Sequence, residues 1–318
     1  MKINSNKIKS LILLSLVGSA STNEQKPTNQ SELTLNSLPQ IGTNFTKRQD
    51  NSDPILIFGG YPVSVGIDTV NGAIKSYCTA GFSVVNTNSS VCQGSSINDY
   101  GGFITSESCF PSGAINLGTA SRDVYNRDGS LLLGRLNYVG GSLSNADLDV
   151  DYIYASCVNN DGVWANIKLI PYVMGEKELV PITGLGSVTI GSRVCAYGTV
   201  SGYNCGKVVE INSNLESRRV TNKVDLESNG FYVEGDLGGP VYVESGIGDR
   251  TTAQALGFIT RFDNNDPNHK FLYYTPLDKA LKGILGSSNC NYALMTYNET
   301  NAQEYNNLLA QMEIPVKK

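Results

Sequence analysis

Histidine is almost absent from this chain of 318 residues, which contains only His269. There is also no Cys-x-x-Cys pair, so the sequence argues against the common zinc sites and predicts neither a metal nor a cofactor. No stretch reaches eighteen consecutive apolar residues, which argues against a membrane-spanning helix. The net charge of −5 comes without any basic stripe, so nucleic acid is not an expected partner.

The first twenty residues have the pattern of an export signal. Lys2, Lys7 and Lys9 form a basic start, residues 11–17 are a short apolar core, and residues 18–20 are small. This pattern predicts a signal peptide over residues 1–20 and a secreted, extracellular protein.

Residues 21–52 are predicted to be a disordered leader or propeptide. Ser, Thr, Asn, Gln and Pro dominate up to Thr46, a composition that buries too little apolar surface to fold. Lys47 and Arg48 then form a dibasic pair. The sequence leaves open whether this pair is a processing site or two adjacent basic residues without a role.

From about residue 53 the chain changes to short β-branched and aromatic runs separated by Gly, Asn and Asp. The 33 glycines, the 17 tyrosines and the lack of a helical period before Pro276 predict an all-β domain of short strands. Seven cysteines in a chain with an export signal predict disulfides.

Residues 235–240 read Gly-Asp-Leu-Gly-Gly-Pro and are followed by an apolar run. This stretch resembles the nucleophile loop of chymotrypsin-like serine proteases, whose pattern is Gly-Asp-Ser-Gly-Gly-Pro. Leu237 stands at the position of the nucleophile, and its side chain has no oxygen to attack a carbonyl. The resemblance also implies that the amides of Gly235 and Leu237 form an oxyanion cradle.

Two segments of the first half resemble a hairpin of the bacterial branch of this family, the α-lytic protease and streptogrisin group. Residues 78–84 are predicted to form one strand, and residues 102–109, Gly-Phe-Ile-Thr-Ser-Glu-Ser-Cys, its partner. Cys109 matches the family cysteine, which implies a disulfide from Cys78 to Cys109. Ser108 falls on the catalytic histidine, and a hydroxyl cannot replace an imidazole as general base.

Asp151, before Tyr152 and Ile153, is the best match for the family aspartate that orients the histidine. A calcium loop is the rival interpretation of the Asp-x-Asp-x-Asp pattern here. It fails because that loop needs Gly at its sixth position and Glu at its twelfth, where this chain has Tyr152 and Val158. Without the histidine, Asp151 needs other donors, and Ser108 and Thr260 are the candidates.

The hairpin over residues 191–206 carries the most specific resemblance. Eight fixed positions match the family pattern Gly-x-x-Val-Cys-x-x-Gly-x-x-x-Gly-Tyr-x-Cys-Gly. The match implies a disulfide from Cys195 to Cys205. Ala196 replaces the family arginine that pairs with the aspartate of the nucleophile loop, so Asp236 needs another cation or backbone donors.

Residues 255–262 resemble the strand on which a peptide substrate lies. The family pattern ends Ser-Gly-Gly, whereas this chain has Thr260, Arg261 and Phe262. Two bulky side chains at the glycine positions are expected to fill the specificity pocket. In the alternative, the register slips and Phe262 points outward.

Several features lie outside the main pattern. His269 sits in a polar turn and is expected to be an exposed loop residue.

A helix is implied over residues 277–285, and a second one is predicted to start at Asn301 with Glu304 as capping partner. N-glycosylation sequons stand at Asn44, Asn88 and Asn298. The three remaining cysteines are an odd set, so at least one thiol is unpaired or bonded between chains: Cys92, Cys157 and Cys290.

The resemblance implies two antiparallel six-stranded β-barrels with a short C-terminal helix. The predicted domain spans residues 53–286, with barrels of about 53–170 and 171–275, and residues 287–318 form a C-terminal extension. The expected function is that of a secreted protease homologue without activity that binds an unidentified protein or peptide. The alternatives are an active endopeptidase with a non-standard catalytic arrangement and an assembly protein; the oligomeric state stays open.

Overall fold

The computed structural model describes twelve stretches of the chain. They are residues 55–67, 74–86, 101–109, 123–129, 132–139, 153–156, 167–215, 219–227, 230–247, 250–266, 268–287 and 292–311. Within them, short β-strands dominate and two α-helices lie near the C-terminus.

The strands are numbered in chain order. The first eight are β1 (Ile55–Gly59), β2 (Pro62–Ile67), β3 (Ile74–Thr79), β4 (Ser83–Asn86), β5 (Gly101–Thr105), β6 (Asp123–Asn126), β7 (Leu132–Val139) and β8 (Ile153–Ser156). The others are β9 (Ile167–Met174), β10 (Leu179–Leu185), β11 (Arg193–Gly198), β12 (Gly202–Leu215), β13 (Arg219–Leu226), β14 (Pro240–Ile247), β15 (Arg250–Asp263), β16 (Phe271–Pro276) and β17 (Tyr292–Leu294). The helices are α1 (Leu277–Ser287) and α2 (Glu299–Gln311).

The C-terminal half builds a closed barrel. In a nine-stranded sheet the order is β1-β9-β10-β15-β14-β11-β12-β13-β16, and β16 also pairs with β15. The six strands β11 to β16 therefore form a closed ring without a free edge. This ring has the strand number implied for the second barrel, and it leaves β1, β9 and β10 as an extension of the same sheet.

Strands β2 to β8 of the N-terminal half, together with β17 from near the C-terminus, form a second, antiparallel sheet of eight strands in the order β17-β4-β5-β8-β7-β6-β2-β3. The predicted all-β class is confirmed. Strand β1 pairs in parallel with β9 and so belongs to the other sheet, outside the predicted range of the second barrel.

The strand predicted over residues 78–84 is interrupted. β3 ends at Thr79 and β4 begins at Ser83, because the chain turns at Gly81, whose amide donates to the carbonyl of Ile104 at 2.6 Å. A Cβ on Gly81 would lie 2.7 Å from that carbonyl oxygen and 2.9 Å from the carbonyl oxygen of Gly238. The break thus lets β5 and the loop after residue 237 approach the same point.

Helix α1 buries one face, as its sequence pattern predicts. Its buried residues are Leu277, Ala280 and Leu281, which have the i, i+3, i+4 spacing of one helical face. α1 confirms the implied C-terminal helix and extends it to Ser287. The α2 prediction needs correction: the helix begins at Glu299, three residues earlier than the predicted cap at Asn301 implies.

Candidate functional site at the Gly-Asp-Leu-Gly-Gly loop

The loop that carries Leu237 is folded as a short 3-10 helix, Glu234–Asp236, just before β14. The amide of Asp236 donates to the carbonyl of Val233 at 2.9 Å, and the amide of Leu237 donates to the carbonyl of Glu234 at 3.2 Å. These i to i+3 hydrogen bonds are typical of a 3-10 turn. The loop therefore uses its own backbone donors internally.

Leu237 is buried and packs in the main hydrophobic core, with 7% of its surface exposed. Its carbonyl accepts the amide of Thr79, on β3, at 2.9 Å. A leucine side chain carries no proton, lone pair or charge. The side chain at this position can therefore fill space but cannot act as nucleophile, acid or base.

The predicted oxyanion cradle does not have two free donors. An oxyanion site needs amide hydrogens aimed at one point from which a substrate oxygen can accept them. The Leu237 amide instead points to the Glu234 carbonyl oxygen, and the carbonyl of Gly235 accepts the hydroxyls of Thr79 at 3.0 Å and Thr199 at 3.2 Å. In this conformation the Leu237 donor is already taken.

Asp236 is fully buried, and backbone and hydroxyl donors serve it instead of a cation. Its Oδ1 accepts the amides of Val200 at 2.8 Å and Ser201 at 3.1 Å. Its Oδ2 accepts the amide of Val233 at 2.8 Å and the hydroxyl of Ser201. Donors from the hairpin turn between β11 and β12, together with the Val233 amide, therefore take the place of the expected cation.

Burial raises the pKa of the Asp236 carboxyl, although the four hydrogen bonds act in the opposite direction. Burial and the nearby Asp236 charge also raise the pKa values of two neighbouring tyrosines. Burial, with a smaller effect of the Asp236 charge, raises the pKa of Tyr197 to about 12. Burial and then Asp236 also raise the pKa of Tyr232. Both phenols therefore stay protonated near neutral pH.

The turn after Leu237 requires a glycine. Gly238 has φ +85°, a conformation that side chains disfavour, and a Cβ there would lie 2.0 Å from Oγ1 of Thr105. Its amide donates to the carbonyl of Ile259 at 2.7 Å. The loop is therefore fixed between β5 on one side and β15 on the other.

Ser108 lies in a 3-10 helix, Glu107–Cys109, directly after β5. Its side chain is exposed, and its amide donates to Oγ of Ser106 at 3.2 Å. The next residue, Cys109, has its sulfur 3.5 Å from the carbonyl oxygen of Leu237. The 3-10 helix that carries Ser108 therefore lies beside the Leu237 loop.

Asp151, the match to the family aspartate, lies outside the described residues. Its role therefore stays a prediction. Of its two candidate donors, Thr260 is buried and its hydroxyl donates to the carbonyl of Tyr273 at 3.4 Å, while Ser108 is exposed.

The expected filling of a specificity pocket by Arg261 and Phe262 stays a prediction. Between Ile259 and Arg261 the pairing of β15 with β16 contains a bulge, which inserts Thr260 as an extra residue and changes which face the following side chains occupy. Arg261 is exposed, with its guanidinium carbon 5.9 Å from the ring centroid of Tyr273. Phe262 is half-buried and packs against the core.

His269 is exposed, as predicted for a loop residue. Its Nδ1 lies 3.1 Å from Oδ2 of Asp225, and its ring stacks on Phe271 with centroids 6.0 Å apart. Both neighbours belong to β13 and β16, so the interactions of this imidazole lie away from the Leu237 loop.

Both implied disulfides are confirmed. Cys78 is bonded to Cys109, and Cys195 is bonded to Cys205. The other cysteines, and the sequons at Asn44 and Asn88, lie outside the described residues; Asn298 is exposed. Among the described residues, no group of three His, Cys, Asp or Glu side chains is placed to hold a metal ion. No helix there is long and apolar enough to cross a membrane.

Sequence reasoning missed three residues that shape this site. Ser201 and Glu234 provide the partners of Asp236 and of the Leu237 amide described above. Tyr232 is fully buried, its hydroxyl donates to the carbonyl of Ala196 at 2.9 Å, and its carbonyl accepts Nδ2 of Asn264 at 2.7 Å. The one available signal was the loss of the arginine at Ala196, which required new donors nearby.

No family model and no curated protein sequence matches this chain. Among solved structures it is similar to Thermobifida fusca Protease A, with 20% identity, a TM-score of 0.48, and coverage of 76% of this chain and 100% of that one. It is also similar to Cellulomonas bogoriensis chymotrypsin, with 19% identity, a TM-score of 0.48 and coverage of 76% and 100%.

A third similar structure is the α-lytic protease homologue N4, with 18% identity, a TM-score of 0.46, and coverage of 72% of this chain and 97% of that one. The structures similar to this chain are thus chymotrypsin-like serine proteases. Identities of this size concern the fold alone.

Proposed function

We propose that this chain is a secreted homologue of serine proteases that binds a protein or peptide without cleaving it. The observation that carries the proposal is that Leu237 is buried and that its backbone amide is already hydrogen-bonded. At the nucleophile position stands a buried hydrocarbon, and its amide donates to the Glu234 carbonyl rather than toward a ligand.

Acyl transfer in this fold needs an alcohol or thiol to attack and a base to accept its proton. Leu237 provides neither group, and Ser108, at the position of the base, is an exposed hydroxyl. Enzymes of this type that lose their triad retain only a residual acceleration of about 10³ to 10⁴, which depends on the oxyanion hole and on substrate binding. Because the Leu237 amide donates to the Glu234 carbonyl, one of the oxyanion-hole donors on which this residual acceleration depends is also missing.

The retained frame is suited to binding. Tyr77, on β3, is 38% exposed, and a Cβ on Gly235 would lie 3.9 Å from its Cβ. Glu234 is exposed on the same loop. An exposed aromatic ring beside a rigid turn is the kind of group that is enriched where protein surfaces recognise polypeptides.

Secretion is supported by the signal-like start and by the two disulfides, which persist in oxidising compartments. Both observations support a location outside the cell. A pull-down from the secretions of the producing organism, with the folded domain as bait, identifies the ligand.

The alternative is an active endopeptidase that uses another serine together with His269. Its support is weak, because His269 interacts with Asp225 and Phe271. A fluorophosphonate probe separates the two functions, since it labels activated serines irrespective of their position. We expect no adduct by intact mass spectrometry under conditions that label trypsin fully. Stoichiometric labelling of one serine, lost on heat denaturation, would overturn the proposal.

A further inference from the structure

The C-terminal segment of residues 292–311, here called the strap, joins both sheets. Its strand β17 pairs with β4, and the amide of Met295 donates to the carbonyl of Ser83 at 3.0 Å. Two residues later, the amide of Tyr297 donates to the carbonyl of Ile182, on β10, at 2.6 Å. The strap then continues into α2.

Helix α2 has a well-formed start. Oδ1 of Asn298 accepts the amide of Asn301 at 3.0 Å, and Oδ1 of Asn301 accepts the amide of Asn298 at 2.9 Å. This reciprocal pair has the geometry of a capping box. Glu304, the predicted capping partner, forms an ion pair with Lys168 on β9 instead.

The inner face of α2 lies on an aromatic surface. Tyr305 and Leu309, four residues apart on the helix, are buried in the same core cluster as Tyr172 of β9. The ring of Tyr172 meets the rings of Tyr297 at 5.7 Å and Tyr305 at 6.3 Å, both edge-on. The strap therefore covers Tyr172 with two of its own phenols.

The Tyr172 hydroxyl has no hydrogen-bond partner, and among the described residues it is the one buried side-chain N or O atom in that state. The residue is 1% exposed. Burial, and then the two neighbouring phenols, raise the pKa of Tyr172. A buried hydroxyl without a partner opposes the closed state, because it would gain a hydrogen bond to water on exposure.

We propose that the strap is a reversible cover which opens from the two sheets as a unit, and that the unpaired Tyr172 hydroxyl favours this opening. An isolated helix of the length of α2 is marginal in water, so the released strap loses its helix and leaves the surface around Tyr172 free. That surface then fits an amphipathic helix with an aromatic residue and a leucine four positions apart, since α2 itself has this pattern. The inference does not depend on whether the Leu237 site is catalytic.

Hydrogen exchange on the full chain tests the cover. We expect the amides of α2 to exchange faster than those of β11 to β16. In Tyr172→Phe the unpaired hydroxyl is removed and the ring is kept, so α2 exchange slows by about 5- to 150-fold while barrel exchange changes little. Tyr242→Phe is the matched control: its hydroxyl donates to the carbonyl of Met174 at 2.8 Å, so its removal does not slow α2.

A second variant covers the case in which Tyr172→Phe fails to fold. Leu309→Ala weakens the contact of α2 with the surface and is expected to speed α2 exchange without a change in the barrels. A labelled peptide of residues 297–311 is then expected to bind this variant more tightly than the wild type. Exchange of α2 only at the rate of the barrel core, or an unchanged or faster α2 rate in Tyr172→Phe, overturns the inference.

Discussion

Gly198 lies directly against the carboxyl group of Asp236: a Cβ on this glycine would be 2.2 Å from Oδ1 and 2.5 Å from Cβ of Asp236. Gly198 ends β11, and Val200 and Ser201, which follow it, provide three of the four hydrogen bonds to that carboxyl. The hairpin and the nucleophile-like loop thus form one unit. The close approach explains why this chain has a glycine at position 198.

Gly198→Ala is therefore expected to destabilise the fold by about 2–3 kcal/mol, because the added methyl group overlaps a buried carboxyl that cannot move without losing its donors. Gly246→Ala is the matched control, since a Cβ on Gly246 meets nothing within 4 Å. Urea unfolding of both variants measures the difference. Equal midpoints for the two variants contradict the close packing of Gly198 on Asp236.

The pH dependence of stability tests the state of Asp236. Burial raises its pKa above the ordinary 3.8, so the folded chain holds this proton more tightly than the unfolded chain. Its contribution to stability is then fully present below pH 3.8 and is lost as the pH rises through the folded pKa. The Asp236→Asn side chain cannot ionise, so the stability of this variant does not decrease with pH in this way.

Urea midpoints between pH 3 and pH 7 are the measurement for this comparison. We expect the stability of the wild type relative to Asp236→Asn to fall as the pH rises. A relative stability that rises with pH means that the four hydrogen bonds outweigh burial and lower the pKa instead.

Restoring the side chains of the triad is not expected to restore the enzyme. In the double variant Ser108→His with Leu237→Ser, the new serine still has its amide bonded to the Glu234 carbonyl, so one oxyanion donor is missing. Loss of one such donor costs about 10² to 10³ in kcat. We expect peptide cleavage at least about 100-fold slower than by an active protease of this fold, with Leu237→Ser alone as the control. Cleavage at a comparable rate shows that the loop opens readily.

The sequence predicted the parts of this protein that depend on local pattern. Cysteines at 195 and 205 face each other in the β11–β12 register, as the hairpin pattern implied. The sequence alone also showed that Leu237 and Ser108 stand where the resemblance implies catalytic residues.

Long-range geometry could not be predicted in the same way. The donors of Asp236, the bulge at Thr260 and the internal hydrogen bond of the Leu237 amide arise from distant segments that meet only in the folded chain. The start of α2 was predicted at the wrong residue because Asn298 and Asn301 are both good capping residues, and only the folded chain shows that the cap is at Asn298.

The most direct test of the central claim is a cleavage assay that assumes no mechanism. The purified mature chain is incubated with a peptide library of diverse sequence, and new termini are counted by mass spectrometry against a heat-denatured sample. A chain with a buried Leu237 in place of the nucleophile is expected to produce no new termini above the denatured control. Reproducible cleavage with a sequence preference, co-eluting with the folded chain, contradicts the account.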